Sequence, residues 1–541
     1  MNNLNILQPD YTAYEKAYQL RIPFETDILI PQNDRVRLLS QLVEEMNLTG
    51  LYDTYSRTGK IRVSPRIMTK ILLYAYMEGI YSSRGIESAC RRDINFWYLL
   101  EGQDIPDYST IARFRTLHFG PCAEDLFIQM AVFLKESGEV DGKSLFLDGT
   151  KIEANANRYT FVWKKAVNKY QARLFEKIAV LQCACLQRYG FADKYEGKVS
   201  RDSLVDLISE LTSVAEEEGL EFTRGKGTRK SQLQRDLESG EKYLAKLDRY
   251  DEALRICGER NSYSKTDPDA TFLHLKEDHM RNGQLKPGYN LQIGTNSGYA
   301  VWAKLFPYST DTKTLIPFLK ELEKKLGFRY DTVVADAGYE SEENYTYLEK
   351  HGIRSMIKPA DYEISKTKTF KQDISRKENM SYDKDHDQYI CEAGNRLKKV
   401  SERSRKSKAG YLTRLSVYEC EDCKGCPFKS RCIKGNHSDI PMEERRKRME
   451  ISRVFERQRR ESLENITTDE GCMLRMNRSI QAEGTFAELK EDRKFKRYLC
   501  RGKPNVLTET FLILLAQNVC RLDRKIQNGR TGEHLYPLKQ S

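Results

Sequence analysis

The hydrophobic positions change period more than once along this chain. From the start to about residue 140 they recur at helical spacing. DRVRLLSQLVEEMNLTGLYDTY sets its apolar residues on one helical face. SPRIMTKILLYAYMEGIYS joins a cap-type Ser64 and a first-turn Pro65 to a strong apolar face. Two shorter helices are predicted at SSRGIESACRRD and DYSTIARFRTLHF, the second capped by Asp107 or Ser109 and carrying Arg113 and Arg115. Short helices with a capped, arginine-bearing member fit a helix-turn-helix that grips DNA, and they fit an ordinary helical bundle as well.

At SLFLD the pattern becomes that of a buried strand, ending on Asp148 and followed by Gly149. From about 155 to 260 helical periods return in a Glu-, Lys- and Arg-rich stretch, which predicts a helical insertion of coiled-coil-hairpin type. GYNLQIGTNSGYAVWAKLF then predicts a β-hairpin turning at Asn296-Ser297-Gly298. An amphipathic helix follows, capped by Thr310 or Asp311 and stopped by Gly327. YDTVVADAGYES predicts a short strand ending at Asp336, SEENYTYLEKHG a helix, and IRSMIKP a further strand. With SLFLD in front, the order is β-β-β-α-β-α-β. A meander that passes through a helix into buried strands is the ribonuclease-H-like order, an α/β fold on a mixed sheet. The expected segments are a helical N-terminal domain (1–140), core strands at 141–154 and 261–359, a helical insertion (155–260), a basic insertion with a cysteine cluster (360–450), and helices that return to the core (451–541).

Composition narrows the class. The chain has 541 residues, 31% of them charged, and no apolar run approaches the roughly 18 residues of a membrane span. No basic stretch followed by an apolar core opens it, so a cytoplasmic protein with no membrane partner is expected. The net charge of +11 permits a polyanionic partner. RSRKSK, EERRKRMEISRVFERQRR and EDRKFKRYLCRGK, the last containing Arg497, all lie beyond residue 400. One such run is as easily a solvated helix face; three together favour a nucleic-acid surface.

The candidate chemistry is acidic. Asp148 and Asp336 each end a short apolar strand and each has a glycine within two residues. Strand ends hold side chains rigidly, and glycine lets a substrate backbone come close. The two strands are neighbours in the ribonuclease-H-like order. Carboxylates side by side repel unless a cation lies between them, and Mg²⁺ takes carboxylates together with phosphate oxygens. A third ligand is expected from a helix over the sheet: Glu483, with Lys490 two turns on to meet a phosphate. Glu488 and Glu491 are alternatives on composition. Lys151, three residues after Asp148, is another phosphate candidate.

FLDGTKIEANANR, TDPDA, GYNLQ, VVADAGYESEEN and RSIQAEGTFAELK, in this order and behind RGIESACRRDINFWYLL and DYSTIARFR, resemble the DDE transposases of bacterial insertion sequences. The likeness runs over nearly the whole chain. It implies a ribonuclease-H-like core, two Mg²⁺ or Mn²⁺ ions held by Asp148, Asp336 and Glu483, and cleavage and strand transfer of double-stranded DNA by a homodimer. Of the related signature Tyr-x₂-Arg-x₃-Glu-x₆-Lys, Glu483 and Lys490 keep the second half. Arg478 lies one residue too far away to complete the first, and no tyrosine is in place, so its role as a DNA-end contact is open. A nuclease of the same fold that only cleaves, and a catalytically inactive, transposase-derived DNA-binding protein, are the competing readings.

Thirteen cysteines without an export signal argue against a disulfide framework. CEDCKGCPFKSRC spaces Cys420, Cys423, Cys426 and Cys432 as C-x₂-C-x₂-C-x₅-C, within reach of one tetrahedral ion. Cys391 and His437 are further candidates. Structural Zn²⁺ is favoured over an iron–sulfur cluster or free thiols. Thr266, Asp267, Asp269 and the GYNLQ residues could equally be turn and hairpin residues or the rim of the site.

Overall fold

Asp34 accepts a hydrogen bond from the Val36 N–H at 2.9 Å and opens α1 (Arg35–Glu45). The structure is a computed structural model that describes residues 29–55, 63–223, 229–275, 283–407, 410–435 and 440–537. After α1 come α2 (Thr49–Asp53), α3 (Pro65–Met77), α4 (Ser83–Arg92), α5 (Ile94–Leu100) and α6 (Tyr108–Arg113). A π-helical segment, Phe114–Phe119, carries α6 on into α7 (Gly120–Glu136). Pro65 sits in the first turn of α3, where its missing N–H costs no hydrogen bond, and α3 is buried on nearly every side. Its Lys70 is buried and pairs with Glu44 and Glu101. Asp107, not Ser109, caps α6 by accepting from Thr110 N–H at 2.8 Å. Residues up to 129 with Leu512–Thr531 make one unit, and the rest of the chain makes the other.

The second unit is built on a six-stranded mixed sheet. Its elements begin with β1 (Ser144–Glu153) and a two-stranded ribbon of β2 (Phe161–Trp163) and β3 (Ser262–Ser264). Between the ribbon strands lie three helices, α8 (Lys164–Tyr189), α9 (Arg201–Glu217) and α10 (Gln232–Cys257). They close on a core of their own around Ile178, Leu204, Leu211, Leu237 and Leu247, in place of the expected hairpin. The sheet continues with β4 (Thr271–His274), β5 (Leu285–Asn296) and β6 (Tyr299–Phe306). Ser297 and Gly298 turn between β5 and β6 with φ of 56° and 86°, the left-handed pair that a two-residue hairpin needs. Then come α11 (Leu315–Leu326), β7 (Thr332–Ala335), α12 (Glu342–Lys350) and β8 (Arg354–Ile357). β5 runs antiparallel to β1 and carries β4 and β6 on its other side, while β7 and β8 follow β1 in parallel. This is the ribonuclease-H-like sheet.

Two features differ from the sequence pattern. β1 does not stop at Asp148. Its pairing with β7 ends at Leu147↔Ala335, but its pairing with β5 runs on to Glu153↔Gly288. Asp148 therefore lies where one edge of a continuing strand comes free. The second feature is a separate five-stranded sheet of β9 (Ser381–Asp383), β10 (Gln388–Ile390), β11 (Arg396–Lys406), β12 (Leu412–Cys420) and β13 (Arg448–Ile451). β11 is exposed at every position but Leu397, so it shows no alternation of apolar residues to read.

Past this sheet, α13 (Arg453–Thr467) lies on β8, with Ser462 Oγ donating to Ile357 O at 2.9 Å. α14 (Asp469–Arg478) runs into two π-helical turns, Ser479–Glu483 and Glu488–Asp492, and α15 (Lys503–Gln527) ends the helical set. Among the described residues no helix is long and apolar enough to cross a membrane.

Candidate functional site

The parallel register of β1 and β7 sets the site. With Leu147 opposite Ala335, the next residues on the two strands are Asp148 and Asp336. Each aspartate has one oxygen tied to its own backbone. Asp148 Oδ1 accepts from Gly149 N–H at 2.8 Å, and Asp336 Oδ1 accepts from Gly338 N–H at 2.8 Å. The other oxygens turn to a shared cation. Arg478 Nη2 is 3.2 Å from Asp148 Oδ2 and 3.8 Å from Asp336 Oδ2, and its Nη1 is 3.1 Å from Glu483 Oε1. Arg478 ends α14 and Glu483 ends the first π-turn, a form of helix often met at functional sites. Arg478 Nε is buried with no acceptor among the described residues.

Of the glutamates that the helix offered, Glu483 joins the aspartates through Arg478. Glu488 is buried against Arg493 at 3.3 Å, and Glu491 pairs with Lys496 at 3.1 Å. Lys490 donates to Lys151 O at 3.4 Å, and Arg497 Nε donates to Ala154 O at 3.3 Å. Both basic residues thus lie along the far half of β1. In the helical unit Arg113 is exposed. Arg115 is buried, donating to Tyr81 O at 3.0 Å and Tyr76 Oη at 3.3 Å, so only Arg113 of the two offers its guanidinium at the surface.

A buried polar network underlies the carboxylates. Gln292 Nε2 donates to Asn290 Oδ1 and to Asp311 Oδ1, both at 2.9 Å. Asn290 Nδ2 donates to the same Asp311 oxygen at 2.9 Å, and Tyr339 donates to Gln292 Oε1. Burial first, then the carboxylates of Asp311, Asp148 and Asp336, push the Tyr339 phenol far above its ordinary range, so it stays a donor. The sequence reading made Asp311 a helix cap and overlooked Tyr339. Thr314 stands at the N-cap of α11, which leaves Asp311 free to face the network. The legible signal was Asn290 and Gln292 two apart on a buried strand, hence on one face. Asp267 and Asp269 turn elsewhere: they accept from the Gly502 and Lys503 N–H groups at the start of α15, and Tyr289 Oη donates to Asp267 at 2.8 Å.

The cysteines of the second sheet meet at one small cavity. Cys391, Cys420, Cys423, Cys426 and Cys432 all line it. Burial and the neighbouring Cys423 push the Cys420 thiol up to about 12. His437 lies outside the described residues. Among the described residues no three or more His, Cys, Asp or Glu side chains are drawn close enough to hold one ion, either here or at the aspartates. The aspartate site is nonetheless chemically suited to a hard divalent cation. Its donors are all carboxylate oxygens, and they already converge on positive charge.

Fold and carboxylates define the class: a ribonuclease-H-like α/β protein with an acidic site where its central strands separate. A family model described as a transposase DDE domain matches residues 390–523, and a second, the transposase domain DUF772, matches residues 24–117. The two matches together support a DDE transposase of an insertion sequence. Transposases act on DNA, and in this family the chemistry depends on divalent metal. No curated protein and no solved structure matches the chain.

Proposed function

We propose that this transposase cleaves double-stranded DNA at the ends of its element and joins those ends to a target, with Asp148, Asp336 and Glu483 as the metal-holding carboxylates. The observation that supports it is the convergence of these three side chains on one cation at the free edge of β1. When bound there, two Mg²⁺ or Mn²⁺ ions would supply the acidity for the attacking water or 3′-hydroxyl and neutralise the leaving oxygen. The chain's own residues do the rest. The backbone N–H groups of Gly149 and Gly338 fix one oxygen of each aspartate, so the second is aimed without loss of rotamer freedom. Arg478 neutralises the cluster before metal arrives and then becomes available to a DNA phosphate. Lys490, Lys151 and Arg497 line the strand along which the backbone of the DNA would run, and Arg113 offers a contact from the helical unit. Two copies hold the two ends. The cysteines around the cavity of the second sheet brace that sheet around zinc.

The test is a cleavage and strand-transfer assay on the DNA that flanks this protein's own coding region, with Mg²⁺ or Mn²⁺. Asp336→Asn and Glu483→Gln should cut at least roughly 100-fold more slowly while binding the ends normally. Glu488→Gln, which weakens the pair with Arg493, should keep most activity. Loss of cutting in Glu488→Gln but not in Glu483→Gln would overturn the ligand set. Cutting without joining would leave a nuclease, and binding without cutting a DNA-binding relic.

A further inference from the structure

The cysteine cluster holds more than its sequence spacing suggested. Five thiols reach one cavity of about 20 Å³, from three separate pieces of chain. Cys391 sits in the β10–β11 turn, where its N–H donates to Asn395 O and its carbonyl accepts from Gly394 N–H, both at 2.9 Å. Cys423 and Cys426 flank the turn at Gly425, whose φ is 66°. Cys432 ends a single helical turn, Lys429–Cys432. Hydrogen bonds lock the pieces together. Asn395 Nδ2 donates to Asp422 O at 2.7 Å, Glu421 N–H to Arg396 O at 3.0 Å, and Lys447 Nζ to Cys432 O at 3.2 Å.

We propose that Cys391, Cys423, Cys426 and Cys432 form a tetrahedral thiolate site for one structural zinc ion, with Cys420 left outside it. Cys420 is already committed elsewhere. It is the last residue of β12, opposite Leu397, its Sγ donates to Asp422 O at 3.3 Å, and it is the most deeply buried of the five thiols. Cys432 has Cys391, Cys423 and Cys426 as its thiol neighbours, whereas Cys420 has Cys423 and Cys391. The surroundings suit thiolates bound to a cation. Lys447 N–H points at Cys423 Sγ from 3.4 Å, and the Lys429 and Lys447 side chains line the cavity, offsetting the negative charge that four thiolates leave around a divalent ion. Soft sulfur donors select zinc or iron over magnesium. Four thiolates around one tetrahedral ion make a closed structural zinc site. The sheet has reason to need a brace. Its core is a handful of side chains, and β11 lends it only Leu397. Four protein ligands leave no open position, so the ion does no chemistry.

The experiment is elemental analysis of the full-length chain purified without chelators, beside Cys391→Ser, Cys426→Ser and Cys420→Ser. About one zinc per chain is expected in the wild type and in Cys420→Ser, and less than a tenth of that in the other two. Cobalt exchanged into the wild type should give the intense absorption of a tetrahedral, four-thiolate centre. Should Cys391→Ser fail to fold, alkylation of the wild type followed by mass mapping replaces it. Cys391 should be protected until a chelator is added, and then labelled. Iron in place of zinc, no metal together with no cobalt uptake, or zinc lost from Cys420→Ser and kept by Cys391→Ser, would each overturn the proposal.

Discussion

Arg478 donates to Asp148 and Glu483, lies 3.8 Å from Asp336, and therefore occupies the place a divalent ion would have to enter. A guanidinium and a metal cannot both sit at the centre of three carboxylates. Its removal should have two opposed effects. Arg478→Ala leaves three carboxylates facing one another, which costs the metal-free protein about 1–2 kcal/mol once solvent screening of the more exposed Asp336 and Glu483 is allowed for. The same variant removes a competitor, so Mn²⁺ should bind roughly tenfold more tightly, a gain of about 1.4 kcal/mol. Thermal melts without metal and Mn²⁺ titration followed by electron paramagnetic resonance would read the two effects. Unchanged or weaker Mn²⁺ binding would mean that the arginine does not compete. At this scale the sequence was informative about Asp148 and Asp336, because each follows a short apolar run. It was less so about Arg478, which stands one position away from the family signature. The helix bends that difference away. A π-turn carries an extra residue, so spacing counted on a regular helix misplaces every side chain beyond it.

The strand β1 shows how an element can be read correctly and still be misjudged in purpose. Gly149 seemed to make room for substrate, yet the space over it is filled from inside. A Cβ on Gly149 would lie 2.1 Å from Gln292 Nε2 and 2.9 Å from its Cδ. Gln292 is fully buried and holds Asn290, Asp311 and Tyr339, so it cannot swing aside cheaply. Gly149→Ala should therefore cost about 1–3 kcal/mol by overpacking, seen as a lower urea midpoint. Gln292→Ala alone should be destabilising too, but the double variant should lose less than the sum, because the second change relieves the clash made by the first. A Gly149→Ala protein as stable as the wild type would show that Gln292 is free to move. The strands of the main sheet were legible because burial on both faces gives unbroken apolar runs such as TVVA. β11 and β12 were not, because pairing of backbone groups alone makes a strand of RLKKVSERSRK, and such pairing leaves no mark in the hydrophobic pattern.

For the molecule as a whole, the three-helix insertion raises the question of whether it supports the catalytic sheet or merely hangs from it. Its geometry favours the second. The chain leaves through β2 and returns through β3, which pair antiparallel with Trp163 opposite Ser262. Lys164 N–H donates to Asn261 O at 2.9 Å, so the two ends of the insertion are already joined by a hydrogen bond. Loop-closure entropy therefore does not change much if everything beyond that bond is replaced by a tight turn. α8, α9 and α10 also bury their apolar faces on one another, around Ile178, Leu204 and Leu247, and take that core with them when removed. A chain in which residues 165–260 are replaced by Asn-Gly, the pair suited to a two-residue hairpin, should fold and keep metal binding at Asp148 and Asp336. The packing lost at the neck, where Val167, Ala253 and Cys257 touch Tyr263, should cost a few kcal/mol at most. Circular dichroism, a single cooperative melt and Mn²⁺ titration of the shortened chain would check this. Insolubility, or loss of Mn²⁺ binding with the fold intact, would mean that the insertion organises the site. Retained metal binding with lost strand transfer would instead assign the three helices to holding DNA or a second copy of the chain.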